Sequence, residues 1–486
     1  MERKDLKPNL LWDNFKQICA IPHPSKHEQK ITEWLQKWAK EHQISAIVDS
    51  VGNIILSKPA TKGFENRKGV VLQGHIDMVP QKNSDKVHDF TKDPIEMVIG
   101  NDGWVRANGT TLGADNGIGC AAAMAVLQSD DIEHGPLEVL ITVDEETGMT
   151  GAFGLKPNLL HGDILINLDS EDEGELYVGC AGGMDATFTM DYMATDVSAT
   201  MSGLNIAITG LKGGHSGLDI NTGRSNANKL LMRMFKKALQ KIDFRISTIN
   251  GGSLRNAIPR EAFATIAISG NEIDDFKKFV AEFTNIVTKE FAATEPNLSI
   301  VVTPTATPKR IANYADQEKI INLVLALPNG VMRMSDSMPG LVETSTNLAI
   351  VQAENGKLLI ANLLRSSVDS AKEALGDKME AIAKLAHAKI ELSGSYPGWK
   401  PNMDSAIMQT MTQTYESMYG KKPEIKAIHA GLECGLLGGV YPNLDMISFG
   451  PTIRNPHSPD ERVHIESVEK FWNFLLATLK NIPTKG

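Results

Sequence analysis

The chain has 486 residues, 42% of them hydrophobic and 22% charged, and carries a formal net charge of −10 from 49 basic and 59 acidic side chains. This is an ordinary globular composition, long enough for two or three domains. Its mild acidity argues against a nucleic-acid partner. Four cysteines (Cys19, Cys120, Cys180, Cys434) stand far apart with no CxxC pair, so a cysteine zinc site or disulfide framework is not expected and a reducing compartment fits better. The opening MERKDLKPNLLWDNFKQ has no signal-type apolar core, and no apolar run approaches the ~20 residues of a membrane helix. A cytoplasmic protein with no membrane partner is expected.

In chain order, HEQKITEWLQKWAKEH (27–42) has helical periodicity. KGVVLQGHIDM (68–78) reads as a buried strand, and NGIGCAAAMAVLQS (116–129) as a small-residue helix suited to close packing. PLEVLITV (136–143) and DILINLD (163–169) are further strands. The alternation predicts a mixed, mostly parallel sheet covered by helices. After CAGGMDATF (180–188) the order changes to strand 204–210, helix 225–240, strands 244–249 and 262–269, helix 272–292 and strand 298–303. That order, βαββαβ, is a ferredoxin-like unit.

A less regular second lobe follows: helix 315–327, strands near 346–353 and 357–364, helix 368–387 and strand 388–393. SGSYPGWKPN (393–402) reads as a junction. Beyond it lie helix 404–419, strands near 424–428 and 445–449, and helix 467–482. The expected architecture is an α/β domain of two segments, 1–185 and 396–486, interrupted by an α+β, two-lobed insert at 186–395.

Three apolar runs of the first segment end in potential metal ligands. VVLQGHID ends in His75 and Asp77, LEVLITVDEE in Asp144, Glu145 and Glu146, and DILINLDSED in Asp169. In open α/β sheets ligands bind beyond the carboxyl ends of the strands. Asp115 in LGADNGIG precedes a helix, and NPHSPDERVHI supplies His457 between Pro456 and Pro459. If the acidic triplet is extended, Glu145 and Glu146 point in opposite directions and can do different work. His75 and Asp77, two apart, point the same way, which suits a carboxylate orienting a metal-bound imidazole. Each piece alone also has a structural reading: a solvated turn, a helix N-cap at Asp115, a solvated loop at DSEDEGE. His464 reads as a structural strand histidine. Their shared placement at strand ends favours the metal.

Taken together and in order, GHIDMVP, GADNGIG, DEETGMTGA, NLDSED, GGHSG and NPHSPDE resemble the di-zinc peptidases that include carboxypeptidase G, aminoacylase and the bacterial dipeptidases. The likeness spans nearly the whole chain, and the branch acting on Xaa-His dipeptides matches best. It implies a peptidase domain with an inserted lid or dimerisation-type domain, and two Zn²⁺ per chain, with Co²⁺ or Mn²⁺ as possible substitutes. His75 and Asp169 would bind one zinc, Glu146 and His457 the other, and Asp115 would bridge them. Glu145 would be the general base of a zinc-activated water, Asp77 would orient His75, and a cis peptide would follow Asp115. His215 in LKGGHSGLDI would stabilise the oxyanion, from its own chain or across a homodimer. Arg365 in ANLLRSSVDS would bind the substrate carboxylate and Asn256 in GGSLRNAIP would lie near the substrate.

HAGLECG places His429 and Glu433 four apart. They are either a further metal pair or, the favoured reading, Glu433 lines the pocket and meets the substrate amino group. The activity implied is hydrolysis of dipeptides with a free N-terminus, Xaa-His (carnosine-like) among them. An aminoacylase-like amidase and a tripeptidase remain open on the same metals. So does a catalytically silent metal- or peptide-binding protein, although binding alone has no need of Glu145.

Overall fold

The structure, a computed structural model, describes residues 6–485, so the first five residues of the N-terminal stretch read above lie outside it. Two compact units are present. The first comprises residues up to Gly179, Trp399–Ala427 and the chain from Leu432 onward; the second comprises Cys180–Gly398 and Ile428–Gly431. The short piece 428–431 was expected in the last α/β segment. It belongs to the second unit, where the Ala181 amide donates to the carbonyls of Ile428 (3.2 Å) and Ala430 (2.9 Å).

The first unit is built on an eight-stranded sheet in the order Ser45–Val48, Ile54–Lys58, Leu137–Thr142, Val70–His75, Ile164–Asn167, Asp445–Ser448, Glu175–Cys180, Glu424–Ile428. Its middle four strands run parallel, and the first two strands are antiparallel additions at one side. All residues of Val70–His75 and Ile164–Asn167 are buried. Continuous apolar runs are what a strand covered on both faces requires.

Helix Ala114–Gln128 buries every residue from Asn116 to Leu127. Its small side chains let it lie close to the strands. A Cβ on Gly119 would stand 2.6 Å from the Leu168 carbonyl oxygen, and one on Gly74 would stand 2.2 Å from Asn116 Oδ1. Both glycines therefore make room for Asn116, whose Nδ2 donates to Leu168 O at 2.7 Å. The Asp115–Asn116 peptide is cis.

The second unit has a nine-stranded antiparallel sheet. Ser299–Thr305, Met201–Thr209, Ala262–Ser269 and Phe244–Gly251 form one side, and Val342–Glu354, Lys357–Ser366, Gly182–Asp191 and Lys389–Tyr396 the other, with Gly330–Met334 paired to Val342–Glu354. Helices Ala227–Ala238 and Ile273–Glu290 complete the first lobe in βαββαβ order. The two lobes share one sheet through a short pairing of Ile249–Gly251 with Val351–Ala353. Phe235, Phe244 and Phe276 pack in series in the core, with centroids 5.2 and 5.5 Å apart.

Strand Gly182–Asp191 pairs along its whole length with Lys357–Ser366 but was read only as the point where the pattern changes. Its glycines and the unbroken burial of Gly182–Met184 hide the period-two signal at its start. Among the described residues no helix is long and apolar enough to cross a membrane.

Gly74→Ala should displace Asn116 and lower stability by about 1–3 kcal/mol, the usual cost of overpacking a filled site. A fall in the urea midpoint of the purified chain is the measure. An unchanged midpoint would show that the Asn116 pocket is not filled.

Candidate metal centre

The ends of the parallel strands gather the predicted ligands. His75 closes its strand, and the next turn carries Asp77. His75 Nε2 lies 3.1 Å from Asp115 Oδ1 and 3.4 Å from Asp169 Oδ1. His457 Nε2 lies 3.1 Å from Asp115 Oδ2 and 2.9 Å from Glu146 Oε2. Asp115 thus turns one oxygen to each imidazole. Two three-residue groups result, His75–Asp115–Asp169 and Asp115–Glu146–His457, each with ligand atoms within 4.8 Å of one another. Glu145 joins a further group with His75 and Glu146.

The second ring nitrogen of His75 is held as well. Its Nδ1 lies 3.1 Å from the Asp77 carbonyl oxygen and 3.4 Å from the carboxylate Oδ1. The nearer partner is the backbone oxygen. The Asp77 carboxylate is mainly occupied elsewhere, accepting from the amides of Glu145 (2.9 Å) and Glu146 (3.2 Å) and from Ser25 Oγ (2.8 Å). Those amide bonds overturn the extended reading of the acidic triplet. Asp144 takes a left-handed φ of 53°, and Glu145–Gly148 forms one helical turn. Asp144 closes that turn by accepting the hydroxyls of Thr147 and Thr150. His457, between its two prolines, also has a left-handed φ of 58°.

The electrostatics call for cations. Burial disfavours the protonated His75 ring, yet the Asp169 charge and the bonds to Asp115, Asp169 and Asp77 lift its pKa well above the usual histidine range. Hydrogen bonds to Asp115 and Glu146 raise His457 to about 11. Burial lifts Asp169 to about 7 against the pull of His75, and burial, reinforced by the charges of Asp169, Glu433 and Glu146, lifts Glu145 well above the carboxylate range. Glu146 Oε1 is buried without a hydrogen-bond partner, and Asp169 Oδ1 has only its 3.4 Å contact with His75 Nε2 among the described residues. Imidazole nitrogens, carboxylate oxygens and orphaned acceptors together form a donor set that fits divalent cations.

Behind the cluster lies a polar network that the sequence did not announce. Glu433, 1% exposed, opens helix Glu433–Val440, and its Oε2 accepts from Gln73 Nε2 and Thr142 Oγ1, both at 2.6 Å. Its Oε1 is buried without a partner, and burial raises its pKa to about 7. The chain continues from Gln73 to Asn167 (2.6 Å) and from there to Ser448. Glu461 was also missed. Its two oxygens accept the amides of Leu112, Gly113, Ala114 and Asp115. The signal was indirect: Gly113 precedes the helix and offers it no capping side chain. The acidic loop after Asp169 is paired rather than merely solvated, since Asp172 meets Arg454 at 2.6 Å and Glu173 accepts the Tyr415 hydroxyl at 2.7 Å.

His215, Asn256, Arg365 and His429 belong to the second unit. His215 Nδ1 accepts the amides of Gly217 (3.2 Å) and Leu218 (3.0 Å), so the neutral ring carries its proton on Nε2. Burial and the Arg365 charge lower its pKa and keep it neutral. Arg365, 5% exposed, donates from Nε to Ser216 Oγ at 3.2 Å and from Nη1 to Tyr396 Oη at 3.5 Å. Among the described residues it has no carboxylate ion-pair partner within 4.0 Å. Asn256 is exposed, and its carbonyl accepts the Ser216 amide at 2.8 Å. His429 bonds Ser345 Oγ through Nε2 at 2.7 Å. Among the described residues, none of the groups of three or more potential metal ligands includes His429. His464 lies in a short strand with its ring centroid 4.9 Å from that of Trp104, as a structural histidine should.

Two histidines, three carboxylates and an adjacent glutamate, four of them at or just after the ends of parallel strands, with Asp115 from a helix start and His457 from a loop, form a metallohydrolase type of centre. The pattern of Peptidase family M20/M25/M40 matches residues 71–481, and the chain belongs to that family of peptide hydrolases. It is 50% identical over 484 residues, the whole of both chains, to the cytosol non-specific dipeptidase of Escherichia coli (strain K12). The crystal structure of aminoacylhistidine dipeptidase from Vibrio alginolyticus matches with a TM-score of 0.94 and 50% identity, covering 100% of this chain and 99% of that one. Aminopeptidase PepT from Bacillus cereus ATCC 10987, at 17% identity and a TM-score of 0.56 over 98% of this chain and 99% of that one, shares the fold alone. The family implies a divalent metal.

His429 gives a pH prediction. Burial, with the Arg365 charge, holds its pKa down at about 3 in the folded chain, against about 6.5 unfolded. Between these values the unfolded state binds the extra proton. Stability is therefore full above about pH 6.5 and falls as pH drops towards 3. His429→Gln should flatten that acid-side slope by up to about 1.4 kcal/mol per pH unit, read as the difference between variant and parent urea curves at pH 4–7. Parallel curves would contradict a neutral buried ring.

Proposed function

We propose that this chain is a di-zinc dipeptidase that hydrolyses dipeptides with a free N-terminus, Xaa-His among them. The observation that carries the reading is Asp115, with one oxygen facing each histidine and Glu145 alongside but outside the two three-residue groups. His75, Asp115 and Asp169 would hold one ion, and Asp115, Glu146 and His457 the other. When bound, two divalent ions supply a Lewis acid for the carbonyl and a lowered pKa for water.

The remaining work falls to this chain's own side chains. Glu145, buried beside His75, would accept the proton of the attacking water and return it to the leaving amine. Asp77 would fix the ring of His75 and, through the two amides it accepts, the turn that presents Glu145 and Glu146. His215 is neutral with its proton on Nε2, the form that donates to a developing oxyanion. Whether it serves its own chain or the neighbour in a homodimer follows from the assembly.

Arg365, buried among hydroxyls, is free for a carboxylate, and a dipeptide always offers one. Asn256 would add a donor from the same turn. The unpartnered oxygen of Glu433 would take the free amino group, which separates a dipeptide from an N-acylated substrate. The Xaa-His preference rests on the Vibrio relative, while the Escherichia coli relative is named non-specific. A cytoplasmic location accords with the latter name and with four buried thiols.

The test is a substrate panel on the metal-supplemented chain: Xaa-His dipeptides, other dipeptides, tripeptides and N-acetyl amino acids. Turnover of free dipeptides is expected. Preference for acetylated substrates would establish the amidase reading, and no turnover at all the silent binder. Glu145→Gln should lower kcat by about 10²–10⁴-fold with metal content unchanged, as loss of a general base does. Full activity in that variant would remove Glu145 from the role.

A further inference from the structure

The segment that delivers Asp115 has an unusual anchor. The four amides preceding and including Asp115 need acceptors, because a helix start leaves its first N–H groups unbonded. Gly113, with a left-handed φ of 71°, has no side chain to offer. Glu461 supplies all four bonds: Oε2 takes Leu112 N (2.7 Å) and Gly113 N (3.0 Å), and Oε1 takes Ala114 N (2.8 Å) and Asp115 N (3.3 Å). The side chain is 2% exposed, and among the described residues no Lys, Arg or His lies within ion-pair distance of it.

A Ser, Thr, Asn or Asp at the N-cap position itself is the usual way to cap a helix. A buried carboxylate beside the like charge of Asp115 is a costly substitute unless its reach and its second oxygen are needed. Here both are used. Glu461 stands four residues after His457 in the same loop, tied by its own amide to Ser458 O at 2.9 Å. One end of this linkage carries His457, and the other grips the backbone of Asp115, whose Oδ2 faces His457 Nε2 at 3.1 Å. The two groups are thereby set against each other by four hydrogen bonds and four residues of chain.

We propose that Glu461 is a positioning residue: it presets the Asp115 carboxylate between the two imidazoles before any ion is present. This rests on the metal-centre reading above. It requires that the amides of Leu112–Asp115 be bonded in the metal-free chain, and that loss of the clamp weaken ion binding with the five ligands intact.

The experiment uses the full chain stripped of metal, as parent, Glu461→Gln and Glu461→Asp, titrated with Co²⁺ by calorimetry and followed by visible absorption and electron paramagnetic resonance. Gln turns an NH₂ group towards two of the amides. It should weaken at least one Co²⁺ site by about 10–100-fold, the usual effect of losing a group that orients a ligand, and alter the signal of the Co²⁺ pair. Asp keeps the charge and should recover part of the affinity. Parent-like affinity and spectra in Glu461→Gln would overturn the proposal, whatever happens to its melting temperature. A parent chain that binds no divalent ion would instead defeat the metal-centre reading.

If neither variant folds, amide exchange on the parent decides. Protection at Leu112–Asp115 without metal, equal to that with Zn²⁺, supports the clamp. Amides that exchange freely until Zn²⁺ is added would show that the ion, not Glu461, orders the segment.

Discussion

Everything in the first unit turns on keeping several carboxylates ionised in one buried place. Asp77, Asp115, Glu145, Glu146, Asp169 and Glu433 gather around the ends of four parallel strands, and the rings of His75 and His457 stand among them. Like charges at such separations repel strongly where water is excluded. The fold answers in two ways. It spends backbone amides on the carboxylates that face away from the reaction: two on Asp77 and four on Glu461. It leaves oxygens of Asp115 and Asp169 facing His75 and oxygens of Asp115 and Glu146 facing His457, an arrangement that a cation would stabilise.

The second unit has a complementary chemistry. Burial and the Arg365 charge lower the pKa of two of its histidines, His215 and His429. Its buried arginine donates to the hydroxyls of Ser216 and Tyr396. Such a set gives hydrogen-bond donors and one positive charge, suited to oxygen atoms that gain negative charge and to a terminal carboxylate.

Much of this was legible along the chain. Apolar runs that stop at His75, at Glu145–Glu146 and at Asp169 reveal both the strands and the groups at their ends, because a parallel strand must be apolar throughout and its loop carries the chemistry. The βαββαβ order of the insert could be read from periodicity alone. The conformation of the acidic triplet was not legible. Extended and turned forms of DEET differ by amide bonds to Asp77, which lies more than sixty residues earlier in the sequence. Nor was the return of 428–431 to the second unit, since its amide partner Ala181 is separated from it by nearly the whole insert.

The sequence by itself determined the repertoire: which side chains can bind a metal, which strands end beside them, and where an α/β pattern gives way to an insert. These follow from local chemistry and from periods of two and 3.6 residues. Only the tertiary structure decided the assignments. It alone turns the two oxygens of Asp115 to different histidines, makes Glu461 the cap of a helix begun 347 positions earlier, and leaves one oxygen of Glu433 without a partner. Hydrogen-bond partners and buried charge depend on distances across the fold, and no local pattern in the chain encodes them.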